Sequence, residues 1–556
     1  MHSRPARIAL LEQLRADGVR HMFGNPGTVE QGFLDELRRF PDIEYVLTLQ
    51  EAVAVGIADG HARATRNPAV VQLHSGVGLG NGIGMLYQAM RGHAPLVVLV
   101  GEAGVKYESM DAQMAADLVG MARPVTKWAT RVVDPGSTLR TLRRAYKVAA
   151  TPPYGPVLVV LPADVMDRPT AEPVAATSVP VTTVAPDAAT VTRAAELLAG
   201  ARRPLIVAGD GVHFSGAQEE LGALAEEWGA EVRGADWAEV NLPVDHPCYG
   251  GQLGHMFGES SAQVTREADG VLVVGTYLLP EVYPALDEIF QPGTPVVHVD
   301  LDSGAIAKNF PVDLGIAADP RSTLPLITRA LRDRRPPAAR QAAADRVRAL
   351  ASRSRARLEA ERALDEARAA DTPMPASVFA AELALRLPED ALLFDEALTS
   401  SPDIFRHLRA NRPGRWFQTR GGSLGVGIPG AVGAKLAHPD KEVVGFTGDG
   451  GSMYTVQALW TAARHRIGAK FVVCNNGGYE LLKDNIAQYW RQEDIPEHDF
   501  PGLFDLTPEI GFVELSRSLG VPALRVEKAE QVPAAVEVML SQPGPYLVDL
   551  VTARPR

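Results

Sequence analysis

The sequence predicts an α/β protein with three doubly wound parallel-sheet domains. Apolar, strand-like runs alternate with helix-like runs along most of the 556 residues. Such alternation is typical of parallel sheets that are covered by helices on both faces. A chain of this length also exceeds what one hydrophobic core supports. We therefore expect domains at residues 1–168, 188–331 and 373–556.

The first domain is predicted from a helix and five strands. The helix, "ARIALLEQLRADG", has apolar residues at three- and four-residue spacing and ends at Gly18. The strands are "HMFG", "EYVLTL", "AVVQLH", "PLVVLVG" and "PVLVVLP". A stretch rich in Pro, Thr, Ala and Val, "DRPTAEPVAATSVPVTTVAPD", then interrupts the alternation and is predicted to be a linker.

The other two domains repeat the alternation. "RRPLIVAGDG", "DGVLVVGTY" and "TPVVHVDLD" are predicted strands of the second domain. An Ala-, Arg- and Glu-rich stretch, "RQAAADRVRALASRSRARLEAERALDEARAA", follows and is predicted to be a solvated connecting helix. The third domain is expected to begin near Pro373.

Composition and charge exclude several classes of protein. Lys and Arg number 55 against 67 Asp and Glu, and this net charge of −12 disfavours a nucleic-acid partner. No run of 18 apolar residues occurs, so no membrane partner is expected. The amphipathic amino terminus lacks a signal-type apolar core, and the two cysteines are expected to be buried thiols. We therefore expect a cytoplasmic protein.

The stretch "GDGGSMYTVQALW" carries the first chemical signal. The apolar run "EVVGFT" precedes it, a predicted helix begins near Ser452, and the strand "AKFVVCN" follows. Asp449 and Asn476 therefore lie at the carboxyl ends of neighbouring parallel strands, where ligands bind in open α/β sheets. Glycines allow the backbone to approach a ligand closely. They are Gly448, Gly450 and Gly451.

These residues suit a metal-bridged diphosphate. A carboxylate, an amide oxygen and a backbone carbonyl are hard ligands that favour Mg²⁺ or Ca²⁺, with phosphate oxygens completing the coordination. Other phosphate loops are absent, because no G-x-x-x-x-G-K-[ST] occurs and "HSGVGLGNGIG" does not fit G-x-G-x-x-G. A nicotinamide-dependent dehydrogenase is therefore disfavoured.

The sequence resembles the thiamine diphosphate enzymes, whose signature begins with GDG and ends with NN about thirty residues later. Within this family it is most similar to the benzoylformate decarboxylase group. Four stretches carry the resemblance. They are "FGNPGT", "LQEAVAVGIADGHARAT", "LHSGVGLGNGIG" and "GGSLGVGIPGAVGAKLAHPDKEVVGFTGDG".

The resemblance implies the cofactors and the assembly. It implies thiamine diphosphate and Mg²⁺, bound by a pyrimidine-binding domain (1–168) and a diphosphate-binding domain (373–556) on either side of a middle domain (188–331). It also implies that two subunits build each active site. The protein is then a homodimer at minimum, and a homotetramer is expected.

The resemblance also assigns cofactor residues. Asp449, Asn476 and the carbonyl of Gly478 would hold the metal, and Leu424 would bend the cofactor. Further positions match residues that contact the cofactor in this group. They are Asn25, Glu51, Thr399, Gly422, Gly448, Gly450, Gly451, Ser452, Tyr454 and Tyr479.

Three catalytic residues are implied in the same way. Glu51 would hydrogen-bond a pyrimidine nitrogen and favour the imino tautomer of the cofactor. His74, after the strand "AVVQL" in what is predicted to be a glycine-rich loop, would shuttle protons. Thr28 stands where the group has a serine that contacts the substrate carboxylate.

The sequence departs from the group at one catalytic position. A second catalytic histidine is expected within residues 275–286, where no histidine occurs, and Glu281 is the nearest titratable residue. Gln113 stands where carboligating relatives often have a glutamine.

The function favoured is non-oxidative decarboxylation of an aromatic or branched 2-keto acid to an aldehyde. Leu481 and Leu482 are predicted to make an apolar wall at the position where pyruvate decarboxylases carry a glutamate. In the competing interpretation, Leu482 is core and Gln418 or Glu480 lines a polar pocket.

Two other functions stay open. One is a carboligase of the acetolactate synthase or lyase type, which joins the enamine to a second carbonyl compound. No flavin motif typical of those synthases is recognisable in the middle domain. The other is a catalytically silent subunit, against which the intact Glu51, Asp449 and Asn476 argue.

Overall fold

The computed structural model of the chain describes residues 3–235 and 237–553. They form two compact units. The first contains the chain up to Pro180, Ala370–Ile404 and the chain from Thr419 onward, and the second contains Val181–Ala369 and Phe405–Gln418. In the described ranges, no helix is both long enough and apolar enough to cross a membrane.

The amino-terminal part of the first unit is a parallel sheet between helices. Its strands are β1 (Arg4–Pro5), β2 (His21–Gly24), β3 (Glu44–Leu47), β4 (Ala69–His74), β5 (Leu96–Glu102), β6 (Trp128–Arg131), β7 (Val157–Pro162) and β8 (Pro169–Thr170). Its helices are α1 (Ala6–Ala16), α2 (Gln31–Glu36), α3 (Glu51–Thr65), α4 (Ser75–Arg91), α5 (Leu118–Ala122), α6 (Thr138–Ala149) and α7 (Ala163–Met166). The sheet order is β3-β2-β4-β5-β7-β6, and β1 pairs with β8 separately. The central strands are almost continuously apolar because both faces of the sheet are buried.

The second unit has its own six-stranded parallel sheet. Its strands are β9 (Pro204–Ala208), β10 (Glu231–Gly234), β11 (Tyr249–Gln252), β12 (Gly270–Val274), β13 (Val296–Asp300) and β14 (Leu314–Ala317). Its helices are α8 (Ala188–Leu198), α9 (Gly211–Ser215), α10 (Gln218–Trp228), α11 (Glu259–Glu267), α12 (Pro320–Arg334) and α13 (Pro337–Arg368). The sheet order is β11-β10-β9-β12-β13-β14. In α13, which covers the predicted connecting helix, Ala343 and Asp365 are the buried residues.

The carboxyl-terminal third of the chain supplies the remaining elements. The strands are β15 (Leu392–Glu396), β16 (Trp416–Gln418), β17 (Val443–Gly448), β18 (Lys470–Asn475), β19 (Ala523–Val526) and β20 (Tyr546–Val551). The helices are α14 (Ala376–Arg386), α15 (Ser401–His407), α16 (Gly427–Ala437), α17 (Asp449–Ser452), α18 (Ala458–Arg464), α19 (Glu480–Gln492), α20 (Phe512–Ser518) and α21 (Val532–Ser541). In the first unit these strands run in the order β15-β17-β18-β20-β19, all parallel. The predicted class of three parallel-sheet α/β domains is confirmed.

Two local predictions were wrong. The glycine-rich run after His74 is not a loop but the first half of helix α4. The helix expected to begin near Ser452 begins at Asp449, ends at Ser452, and resumes as α18 only at Ala458. Between these helices the backbone N–H groups bond to carbonyls three residues earlier, which tightens the chain into successive turns.

Helices α3 and α16 cross at backbone distance in the first unit. A Cβ atom added at Gly60 would lie 2.1 Å from the carbonyl oxygen of Gly430, and one at Gly433 would lie 2.0 Å from the carbonyl oxygen of Ile57. Only glycine permits this approach. The crossing joins the helix that begins with Glu51 to the helix that follows Leu424.

Candidate active site

Glu51 is held by two asparagines at the start of α3. The side chain of Asn25, just after β2, donates to Glu51 Oε1 at 3.2 Å, and that of Asn81 on α4 donates to Oε2 at 3.0 Å. Gln50 caps the helix by accepting hydrogen bonds from the N–H groups of Ala52 and Val53. Glu51 is 6% exposed. Both carboxylate oxygens therefore have fixed directions.

The glycines of α4 make room for Glu51 and His74 together. A Cβ atom at Gly78 would lie 3.1 Å from Glu51 Oε1 and 3.3 Å from His74 Cβ. At Gly82 a Cβ atom would lie 3.3 Å from Leu73 and 3.9 Å from Glu51 Cβ. Glycine stabilises a helix less than other residues do, but a larger side chain at Gly78 or Gly82 would displace Glu51.

His74 bonds to a residue that sequence reasoning missed. Its Nδ1 lies 3.0 Å from Oε2 and 3.3 Å from Oε1 of Glu30, whose side chain is 1% exposed. The Gly27 N–H also donates to Glu30 Oε2, at 3.1 Å. Burial raises the pKa of Glu30, and the His74 ring and the Gly27 N–H act in the opposite direction. Thr28 is exposed and lines a cavity of about 520 Å³ together with Glu30.

Asp449 lies at the carboxyl end of β17. Its Oδ1 accepts a hydrogen bond from the Gly450 N–H and its Oδ2 one from the Gly477 N–H, both at 2.7 Å. Burial raises the pKa of Asp449, and these N–H groups partly offset that effect. The Ser452 hydroxyl donates to the Asp449 carbonyl at 2.7 Å, so it stabilises this turn.

The two asparagines after β18 have different surroundings. Asn475 points into the sheet, where its amide donates to Asp549 Oδ1 at 3.0 Å. The oxygen of Asn476 accepts from the Gly478 N–H at 3.2 Å, and its amide nitrogen lies 3.5 Å from the Thr399 hydroxyl. Asn476 is therefore directed towards the edge that carries Asp449 and Thr399.

Tyr479 closes the other side of the GDG turn. A Cβ atom at Gly450 would lie 2.3 Å from Tyr479 Cε1, so the ring lies against that glycine. The Tyr479 N–H donates to the Phe504 carbonyl at 2.8 Å, and Gly478 forms an antiparallel bridge with Asp505. These bonds hold the 476–479 loop in place.

Leu424 is half-buried in a segment anchored by another residue that sequence reasoning missed. Glu396, at the end of β15, accepts hydrogen bonds from the N–H groups of Gly425, Val426 and Gly427. Complete burial raises the pKa of Glu396 to about 7, although these three donors act in the opposite direction. Tyr454 lies beside this segment, since a Cβ atom at Gly425 would be 2.7 Å from Tyr454 Cβ.

The donor set at Asp449 fits a metal-bound diphosphate. Among the residues described here, no group of three or more His, Cys, Asp or Glu side chains could hold a metal ion by itself. The predicted set contains one carboxylate, one amide oxygen and one carbonyl, so phosphate oxygens must supply the rest. A dication would offset the unfavourable burial of the Asp449 charge. Gly422 and Gly477, with φ of +75° and +73°, have nothing within 4 Å of an added Cβ, so both loops leave open space.

Comparison with known proteins identifies the family. Residues 6–121, 191–327 and 399–550 match, in turn, the N-terminal, central and C-terminal domains of the thiamine pyrophosphate enzymes, of which the first and last are described as TPP binding. Benzoylformate decarboxylase of Pseudomonas aeruginosa is 31% identical over 560 residues, which cover 98% of each chain. The chain belongs to the thiamine diphosphate enzyme family.

Other members of this family are similar over nearly the whole chain. A thiamine diphosphate-dependent 4-hydroxybenzoylformate decarboxylase of Rhodococcus jostii superposes with a TM-score of 0.84 at 26% identity, covering 99% of this chain and 100% of the other. The acetolactate synthase of Arthrospira platensis is 28% identical and covers 98% of this chain and 94% of its own. Both decarboxylases and acetolactate synthases are thus relatives within the thiamine diphosphate enzyme family.

Four further positions bear on which reaction this thiamine diphosphate enzyme performs. Leu482 is 43% exposed at the start of α19, so it is not a core residue of the chain. Glu480 is buried, and its carboxylate accepts from Lys483 at 2.9 Å. Gln113 is exposed and lines a second cavity of about 420 Å³. Glu281, in the middle unit, is buried.

A sequence pattern could have indicated one of the three missed residues, Asn81, but not Glu30 or Glu396. Asn81 lies seven positions after His74, and helical periodicity would have put it on the face of Gly78 if the glycine-rich run had been treated as a helix. Glu30 and Glu396 follow no such pattern. Their partners lie 44 and about 30 positions away in the chain, and they meet only after the strands are paired.

Proposed function

We propose that this protein is a thiamine diphosphate- and Mg²⁺-dependent, non-oxidative decarboxylase that converts an aromatic or branched 2-keto acid into an aldehyde. One observation carries the proposal. The imidazole of His74, a group that can both take up and release a proton, lies beside the Glu51 carboxylate across Gly78. Replacing carbon dioxide by hydrogen consumes one proton in each turnover, and this arrangement provides a group to deliver it.

Asp449, the amide oxygen of Asn476 and the carbonyl of Gly478 would hold the metal. Leu424 would fix the bent shape of the cofactor. The remaining cofactor contacts are proposed at Asn25, Glu51, Thr399, Gly422, Gly448, Gly450, Gly451, Ser452, Tyr454 and Tyr479. When bound, thiamine diphosphate supplies the electron sink for loss of carbon dioxide.

The catalytic residues of the chain hold and move protons. Glu51, oriented through both oxygens by Asn25 and Asn81, holds a proton at the pyrimidine ring. His74 returns a proton to the reacting carbon. The Thr28 hydroxyl contacts the substrate carboxylate.

The substrate class is proposed from Leu481 and Leu482. Because Leu482 is half-exposed in the chain, its side chain is free to contact an apolar substituent. Burying a phenyl ring rather than a methyl group against such a wall contributes about 2 kcal/mol more, which corresponds to a preference of roughly 30-fold. A dry wall also favours loss of the substrate carboxylate, because a buried charge is costly.

Steady-state rates on phenylglyoxylate, a branched 2-keto acid and pyruvate test this proposal, with products identified by mass spectrometry. We expect phenylglyoxylate or the branched acid to be preferred and the aldehyde to be formed. Leu482→Glu should reduce that preference by roughly tenfold or more, whereas the volume-conserving Leu482→Met should keep it. Preference for pyruvate in the wild-type enzyme would contradict the proposal.

A carboligase is the second candidate. Gln113, in the cavity that also contains Ser75 and Tyr107, favours it, since an amide there could bind a second carbonyl compound. The same assay with an added aldehyde distinguishes the two reactions. A ligated hydroxyketone as main product would replace the decarboxylase by a carboligase.

A homodimer at minimum, and a homotetramer in full, is proposed for the assembly. Leu49 and Val77, close to Glu51 and His74, are 47% and 56% exposed, and a second copy of the chain would cover them.

We also propose a cytoplasmic location and the domain bounds 1–168, 188–331 and 373–556. Light scattering and limited proteolysis test the assembly and the bounds.

A further inference from the structure

His74 and Glu30 are locked against each other by two glycines. A Cβ atom at Gly27 would lie 2.1 Å from Cγ and Nδ1 of the His74 ring, and one at Gly101 would lie 2.0 Å from Glu30 Oε1. The ring therefore lies against the backbone at residue 27, and the carboxylate against that at residue 101.

We propose that Glu30 is the positioning residue of His74. Its carboxylate accepts the proton of Nδ1, which fixes the tautomer of the ring and leaves Nε2 as the nitrogen that exchanges protons with the reacting molecule. The carboxylate also stabilises the imidazolium form after Nε2 takes up a proton. No bond other than N–H is made or broken in this step. The effect of Glu30 on turnover rests on the proposed function, whereas its effect on the tautomer and protonation of the His74 ring does not.

Two hydrogen-bond donors face the Glu30 carboxylate. The Gly27 N–H, at 3.1 Å from Oε2, is a second donor to the same oxygen that lies nearest Nδ1. Burial by itself disfavours the charge and raises the pKa of Glu30, and the His74 ring is the largest influence in the other direction. A carboxylate in this position acts on an imidazole as the aspartate does in a Ser-His-Asp triad.

Other titratable side chains lie on two sides of the His74–Glu30 pair. On the inner side are Glu51 and Tyr45, and burial, together with the charges of Glu30 and Glu51, raises the pKa of the Tyr45 phenol. On the cavity side, Asp35 and an ion pair between Arg7 and Asp167, at 3.0 Å, line the same cavity as Glu30.

Histidine hydrogen–deuterium exchange at Cε1 tests the proposal in the full-length, cofactor-free protein. The tryptic peptide 67–91 contains His74 as its single histidine, so mass spectrometry reports this ring alone. In Glu30→Gln, the midpoint of exchange against pH should move by about one pH unit or more towards acid, because the imidazolium loses its partner. Glu172→Gln, which alters another carboxylate of the first unit, one that accepts the Leu139 N–H, is the control and should leave the midpoint unchanged.

Turnover supplies the second measurement. Glu30→Gln should lower kcat roughly 100-fold with little change in KM and should alter the pH profile of kcat. Glu30→Asp, which keeps the charge, should restore part of kcat and most of the exchange midpoint, and it serves as the test if Glu30→Gln does not fold. An unchanged exchange midpoint in Glu30→Gln overturns the proposal. So does an exchange midpoint in Glu30→Asp that moves towards acid by about one pH unit or more, the shift expected for an uncharged residue. If the exchange midpoint shifts in Glu30→Gln but the wild-type enzyme makes no aldehyde, the decarboxylase proposal is refuted and the proposed role of Glu30 is supported.

Discussion

Gly60→Ala would drive helices α3 and α16 apart. The added methyl carbon would lie 2.1 Å from the carbonyl oxygen of Gly430, and no flexible side chain is available to yield, because the opposing atoms are backbone. Restoring van der Waals contact requires the helices to separate by roughly 1 Å. Since α3 begins with Glu51, the separation would also displace that carboxylate.

The magnitude follows from two opposing contributions. Overpacking of this kind costs about 1–3 kcal/mol. Alanine in a helix recovers about 0.5–1 kcal/mol relative to glycine. The net loss is then about 0–2.5 kcal/mol, centred near 1.3 kcal/mol. With roughly 2–4 °C for each kcal/mol in a domain of this size, Tm should fall by about 3–5 °C.

Gly80→Ala is the matched control. It is also a helical glycine, but its Cβ would meet only Met121 Cε, at 3.9 Å. This substitution should leave Tm unchanged or raise it slightly. Differential scanning calorimetry on both cofactor-free variants at one protein concentration measures the difference. A Tm for Gly60→Ala equal to or above that of Gly80→Ala would show that the helices do not cross at backbone distance.

Three further predictions concern the site. Glu51→Gln should keep the fold but slow proton exchange at the reactive cofactor carbon by roughly 100-fold or more, as measured by NMR, and a wild-type rate would remove Glu51 from the mechanism. Asp449→Ala should abolish Mg²⁺-dependent binding of thiamine diphosphate in calorimetry, and unchanged affinity would refute the metal site. Burial raises the pKa of Glu396 in the folded protein to about 7, above its ordinary 4.5. Between these two pH values the folded state therefore binds more protons than the unfolded state. The contribution of Glu396 to stability is lost as pH rises from about 4.5 through 7. Glu396→Gln should therefore flatten the dependence of Tm on pH across that window, and an unchanged slope would contradict the burial of this charge.

The sequence by itself determined the class of fold and predicted the location of one half of the candidate site. The strands β4, β5 and β7 are recognisable because they are almost continuously apolar, and that pattern follows from burial on both faces. Asp449 and Asn476 are recognisable because the spacing of one βαβ unit puts them at one sheet edge. Such signals are local in the chain, so a linear pattern suffices to find them.

Tertiary structure decided the conformation of the glycine-rich segment and the partners of His74. Glycine's low helix propensity favours a loop over residues 75–84, yet the segment is helical, and Gly78 and Gly82 leave room for Glu51 beside it. Glu30 has no pattern of its own, since its bond to His74 joins residues 44 positions apart, one just before α2 and the other at the end of β4. A hydrogen bond of this kind depends on where the sheet brings the strand ends together, which no sequence interval records.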